Sequence, residues 1–173
     1  MEESGFRFDF GAARVKRLDD PEQPRPEGMK LVDFVIEEAS RLILLEVKSP
    51  PGKSKGGDAK AEAALARSRD EFVKALAGER FIADELTPKA RDSYTYLHLM
   101  KRDSRPMVYV FLLGTAHITV EPGLLLGFKD RLLKRLRMEA AQPWARQYVS
   151  DCLILTEQTW PLAFPSYALL GAS

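Results

Sequence analysis

Asp33, Glu46 and Lys48 are the residues of this sequence whose types and spacing could do chemistry. They sit in two otherwise apolar, strand-length runs, MKLVDFVIEE at residues 29–38 and RLILLEVKS at residues 41–49. If these runs fold back on each other around Ala39 and Ser40, Glu38 faces Arg41 and facing residues have numbers summing to 79, which sets Asp33 opposite Glu46. A four-residue turn, EASR, keeps the same register. Facing residues share a sheet face with Cβ atoms about 4.5–5.5 Å apart, and the period of two along a strand adds Lys48 to the Glu46 side. Two carboxylates at that distance repel each other unless a cation joins them or the lysine compensates. A divalent metal resolves the conflict: Mg²⁺ commonly takes one or two carboxylates at about 2.0–2.1 Å and keeps water and substrate phosphate in its other positions. Lys48 would then orient or help deprotonate a water, or neutralise charge building on a phosphorane-like transition state. That is the chemistry of phosphodiester hydrolysis. The competing reading is a half-exposed strand face whose charges are solvated and contribute little. Against it stand Val32, Phe34, Ile36, Leu42, Ile43, Leu44, Leu45 and Val47, which make both strands apolar on nearly both faces, so the charges would be semi-buried without a purpose.

The elements that must position these residues can be read on either side of them. FRFDF alternates Phe6, Phe8 and Phe10 on one face as a short strand does, and DDPEQPRPEG, residues 19–28, is a loop by its three prolines and glycine. After the hairpin and the breaker-rich SPPGKSKGGDAK, Asp58 is a candidate N-cap for a helix through AKAEAALARSRDEFVKALAG that stops at Gly78. A second helix starts at Thr87, with Pro88 in its first turn, and runs through KARDSYTYLHLM. MVYVFLLG, residues 107–114, reads as a buried mid-sheet strand. LLLGFKDRLLKRLRMEA is an amphipathic helix with Leu125, Phe128, Leu132, Leu133 and Leu136 inward and Arg131, Lys134, Arg135 and Arg137 largely outward. YVSDCLILTEQTW looks like a last strand, and the tail PLAFPSYALLGAS has too many breakers to assign. The order describes one α/β (α+β) domain over residues 1–173, with helices around a mixed sheet.

The acid, the ExK tripeptide and the elements that follow resemble the PD-(D/E)XK nuclease superfamily, the restriction-endonuclease-like fold. The carrying residues are Asp33 in VDFVIE and Glu46, Val47 and Lys48 in LLEVKS, with twelve residues between acid and ExK, and the resemblance covers mainly residues 28–115. It implies an αβββαβ core, Mg²⁺ or Mn²⁺ held by Asp33 and Glu46, and cleavage of DNA or RNA with Asp33, Glu46 and Lys48 as the catalytic set. The chain is also similar to small bacterial proteins laid out as VDF, then E-V-K, then a KxRD segment, here Lys89, Arg91 and Asp92. The superfamily commonly carries a glutamate on its first helix. This chain begins MEESGFRFDF, and Glu2, Glu3, Asp9, Asp19 and Asp20 are all imperfect candidates for that third acid.

Nucleic acid is the expected partner, and the lysines that would meet its phosphates are Lys53, Lys55 and Lys60 in the loop after the ExK strand. Lys89 is an auxiliary candidate, because the helix after that strand often adds a polar residue to such sites; an ordinary surface ion pair with Asp92, three residues on, is its simpler explanation. The basic face of Arg131, Lys134, Arg135 and Arg137 is a second candidate phosphate surface beside its reading as the solvent side of a packed helix. With 26 Lys and Arg against 25 Asp and Glu, bulk charge announces no such partner, so attraction to phosphate must be local. The alternative class is a catalytically inactive nuclease-like module that binds nucleic acid or a protein, and a homodimer or partner subunit would enlarge the small surface such a chain offers a long duplex.

Other chemistries are poorly supplied. His98 and His117 each stand alone in apolar surroundings, as packed, hydrogen-bonded histidines do, and the lone Cys152 in DCLILTE reads as a buried, inert thiol. Trp144 and Trp160 read as core or interface residues. The glycines match neither G-x-G-x-x-G nor P-loop spacing. No apolar run approaches the length of a bilayer span, the N-terminus lacks the pattern of a signal peptide, and a cytoplasmic location is the expectation.

Overall fold

The alternating phenylalanines at the N-terminus and the β-branched, leucine-rich runs that follow form strands in the computed structural model, which describes residues 1–20, 22, 26–52, 59–139 and 141–171. In chain order the elements are β1 Glu2–Glu3, β2 Phe6–Asp9, β3 Arg14–Arg17, β4 Phe34–Glu37, β5 Leu42–Lys48, α1 Ala59–Ala77, a π-helical segment Phe81–Leu86, α2 Thr87–Leu99, β6 Met107–Leu113 and α3 Pro122–Arg137. Then come β7 Met138–Glu139, β8 Gln142–Pro143, β9 Asp151–Thr156, the short helix α4 Trp160–Ala163 and β10 Ala168–Gly171.

A five-stranded mixed sheet in the order β3-β4-β5-β6-β9 forms the centre. β4 runs antiparallel to both of its neighbours, β3 and β5, and β6 and β9 continue parallel to β5 after helical crossovers. The hairpin turns where the sequence places it. Glu38 N–H donates to Arg41 O at 3.0 Å, and Phe34 faces Leu45 in the register that sums to 79. β6 is buried along its whole length between β5 and β9, as its unbroken apolar run requires.

Alternation along β5 divides the core in two. Leu42 and Leu44 pack with Val35, Tyr109 and Phe111 beneath the helices, against Leu76, Leu86, Leu97, Phe128, Leu132 and Leu136. Ile43, Leu45 and Val47 face the other way, onto Phe6, Phe8, Phe10, Trp160 and Phe164. That second face is roofed by a small antiparallel sheet, β1-β2-β10, in which the tail strand pairs with β2 through contacts such as Leu169 opposite Phe8. The segment ahead of β3, where the resemblance implies a helix, therefore forms strands whose alternating phenylalanines seal the sheet. Leu125 and Leu133 pack at the margin of the helix-side core, and Phe128, Leu132 and Leu136 fill it.

The second helix begins earlier than its Thr-Pro signal. The chain is already π-helical from Phe81, with Thr87 N–H reaching back to Ile82 O, and Pro88 continues inside the helical run. Proline brings no N–H to the turn before it. The Asp84 carbonyl, four residues earlier, instead accepts from Lys30 Nζ at 2.8 Å. A π-turn of this kind changes the phase of the helix that follows, and here that helix buries Lys89, Ala90, Ser93 and Leu97. No helix among the described residues is long and apolar enough to cross a membrane.

Candidate functional site

β5 turns Leu42, Leu44 and Glu46 toward the helices, and at its last turn it delivers the Glu46 carboxylate, 0% exposed, beneath the start of α2. Asp33 sits one residue before β4, beside Glu46 by the hairpin register, and is itself buried. Its Oδ2 accepts the Val47 backbone N–H at 2.7 Å, fixing the carboxylate across the hairpin. Lys48 Nζ lies 3.2 Å from Glu46 Oε1 and is the one member of the three that reaches solvent. The three side chains selected from the sequence thus lie on one side of the sheet.

A fourth residue joins them. Lys89 projects from the first turn of α2 and donates to both Glu46 oxygens, at 2.7 and 2.9 Å, while lying 3.8 Å from Asp33 Oδ1. The surface ion pair expected between Lys89 and Asp92 is not what forms. Lys89 is buried against Glu46, and Asp92 turns away to accept the Lys30 backbone N–H at 3.0 Å. One residue further, Ser93 Oγ accepts the Val32 N–H at 2.9 Å inside the core. The KARDS stretch therefore does two jobs: its lysine neutralises Glu46, and its aspartate and serine hold the backbone leading into Asp33. Sequence reasoning missed Ser93, since a single serine in a helix carries no signal beyond its position one turn after Lys89 on the buried side.

Burial and like charge dominate the electrostatics. Asp33 is pushed up to about 7, first by desolvation and then by the Glu46 charge, with Lys89 and the Val47 N–H opposing. Complete burial likewise pushes Glu46 upward against the pull of Lys89 and Lys48. Burial works against the Lys89 ammonium, but Glu46 and Asp33 outweigh it and hold the lysine above its ordinary value. Two ammonium groups thus offset the charge on two carboxyls whose ionised forms burial disfavours.

Among the candidates for a third acid, Glu3 and Asp19 lie near enough for their fields to reach Asp33 and Lys89 respectively. Glu3 is engaged by Arg17 at 2.5 Å, with Ser4 beside it donating to Val47 O. Glu2 pairs with Arg7, Asp9 accepts the Gly11 N–H, and Asp20 accepts the Glu22 N–H, so these three serve local structure. Among the described residues no group of three or more His, Cys, Asp or Glu side chains is arranged to hold a metal ion. The oxygen donors Asp33 and Glu46 suit Mg²⁺ or Mn²⁺ in kind, but both Glu46 oxygens are bonded to Lys89, so a cation fits only with that ammonium displaced.

The remaining candidates separate by position. Lys53 and Lys55, and the proposed cap Asp58, lie outside the described residues; Lys60 is exposed in the first turn of α1. On α3, Arg131 donates to Leu76 O and pairs with Glu79, and Arg137 donates to Ser150 O at the start of β9. This basic end lies beside the entry of the parallel strands, opposite the β5 end that carries Lys48. The histidines are not packed as expected: His117 is exposed beside Gly52, and His98 is exposed with its ring bonded to Asp103 at 2.7 Å. Leu97 beside His98 points inward, whereas Leu99 and Met100 are exposed along with the ring. Cys152 is buried, and burial pushes its thiol up to about 12, as an inert thiol requires. Trp160 is core, and Trp144 packs half-buried against Tyr148. Set against known proteins, the chain matches no family model, no curated protein and no solved structure.

Proposed function

We propose that this chain is a metal-dependent nuclease that hydrolyses phosphodiester bonds in DNA or RNA, with Asp33 and Glu46 as the ligands of Mg²⁺ or Mn²⁺. The observation that carries the reading is the convergence of Asp33, Glu46 and Lys48 on one side of a hairpin, with Lys48 alone opening to solvent. A divalent cation there would supply Lewis-acid polarisation of the phosphate. Asp33 is oriented by the Val47 N–H and Glu46 by its place at the end of β5, so two oxygen ligands are fixed before any substrate arrives. Lys48, partly exposed and held near Glu46, is placed to meet a phosphate oxygen and to stabilise charge as a water oxygen bonds to phosphorus and the ester P–O bond breaks. The products are a phosphate monoester and a free hydroxyl, the departing oxygen taking up a proton. Lys53, Lys55 and Lys60, which follow the ExK strand in sequence, would supply phosphate contacts to the nucleic acid.

Incubation of plasmid and end-labelled DNA and RNA with Mg²⁺ or Mn²⁺ tests the reading directly. Cleavage should fall by about 10²–10³-fold in Lys48→Ala and be lost in Glu46→Ala. A second reading is favoured by the bonding of Lys89 to both Glu46 oxygens, which gives a cluster already complete without metal: an inactive nuclease-like module that binds nucleic acid. Salt-sensitive binding without cleavage of any substrate would select it.

A further inference from the structure

Lys89 stands where a metal should. Its ammonium touches both oxygens of one buried carboxylate and approaches the second, a cation's contacts made by a side chain. We infer that Lys89 is an internal placeholder for the divalent ion: metal enters this site by displacing the ammonium from Glu46, and the lysine sets how tightly the site binds metal. The inference rests on the proposed metal site and adds to it a residue that controls loading.

Charge explains the arrangement. Apart from Lys89, the buried carboxyls Asp33 and Glu46 have one flanking ammonium, Lys48, which is partly solvated. Without a second cation the pair would be buried uncompensated, a state that proteins avoid at considerable cost. Lys89 removes that cost when no metal is present. A divalent ion added beside it would meet a like charge in a poorly solvated space, so the two cations exclude each other. The lysine can leave because its anchor is a flexible four-carbon stem at the start of α2, and Asp19 lies near enough to act on the ammonium as a negative group beyond Glu46 and Asp33. The phosphate of a nucleic acid offers another. Asp92 and Ser93 bond the Lys30 and Val32 backbone through side chains other than Lys89, so the lysine can swing away without breaking either bond.

The test is Mn²⁺ binding to the full chain, read by loss of the free-ion electron paramagnetic resonance signal, alongside thermal unfolding with and without Mn²⁺. Lys89→Met should bind Mn²⁺ at least tenfold more tightly than the wild type, and should gain more in Tm from the metal. Glu46→Gln in the same background should abolish the gain. Lys89→Gln, neutral but able to donate a hydrogen bond to Glu46, replaces the methionine variant if that one does not fold. Equal affinity in wild type and variant overturns the placeholder, and leaves the nuclease reading standing if the wild type cleaves. Tighter binding in the variant with no cleavage by either supports the placeholder and removes the nuclease reading. No Mn²⁺ binding by either at millimolar concentration overturns the placeholder and the metal site together.

Discussion

Ser93 shows how a residue with no chemistry of its own can hold a site together. Its hydroxyl takes the Val32 N–H in a fully buried setting, one residue before Asp33. Replacement by alanine leaves that donor without an acceptor, and the desolvation penalty of a lost buried bond is about 1–3 kcal/mol. Urea denaturation of Ser93→Ala should show a lowered midpoint of that size, while a surface serine such as Ser68 replaced in the same way should leave it nearly unchanged. At this scale the sequence was legible where strand geometry alone decides the outcome. Period-two alternation and a short turn put Asp33, Glu46 and Lys48 together without knowledge of any distant contact. It was not legible where depth decides. Lys89 and Asp92 carry the spacing of a surface pair, and only the packing of α2 on the sheet shows that the lysine is swallowed and the aspartate turned aside. The fields of Glu3 and Asp19 reach the cluster, which no local pattern announces.

Among the elements, the far end of the hairpin has its own anchor. Glu37, the last residue of β4, accepts from Arg102 and from Arg105 at 3.1 Å, and Arg14 lies 3.9 Å away, so the loop after α2 is tied to the sheet. Burial opposes the Glu37 charge, yet the Arg102 and Arg105 bonds outweigh it and hold the carboxyl below its ordinary value. A depressed carboxyl contributes stability above its unfolded pKa, about 4.3 for glutamate, and loses it as pH falls through the lower folded value. Glu37→Gln should therefore be less stable than wild type at pH 7, and the two should converge as acid protonates the wild-type glutamate. Urea midpoints measured from pH 7 down to pH 3 check the sign; a constant gap would remove the carboxylate as its cause. α3 announced itself by periodicity, β6 by its unbroken apolar run, α1 by its helix formers and glycine stop, and the hairpin by two apolar runs around a polar turn, whereas the π-helical segment Phe81–Leu86 gave no such signal. Its apolar spacing is that of any helix, and what makes it distinctive is a proline met by a lysine donor from residue 30.

For the whole molecule, the divided core means that one face of the sheet carries the charged cluster while the other is sealed mainly by aromatics. Trp160 is central to that seal: it packs edge-on to Phe8 at 5.6 Å, lies 4.8 Å from Phe164, and donates its indole N–H to Tyr167 O at 2.8 Å. Trp160→Ala should cost about 3–5 kcal/mol, seen as a large fall in the urea midpoint. The tail resisted sequence reading because its order comes from pairing with β2 at the opposite end of the chain, a contact that no window of neighbouring residues contains. The other face has a different logic. One helix, α2, grips Glu46 through Lys89 and the approach to Asp33 through Asp92 and Ser93, so both acids hang from a single rigid rod. A shift of that rod would disturb the surroundings of both acids at once, giving the pair a shared mechanical fate.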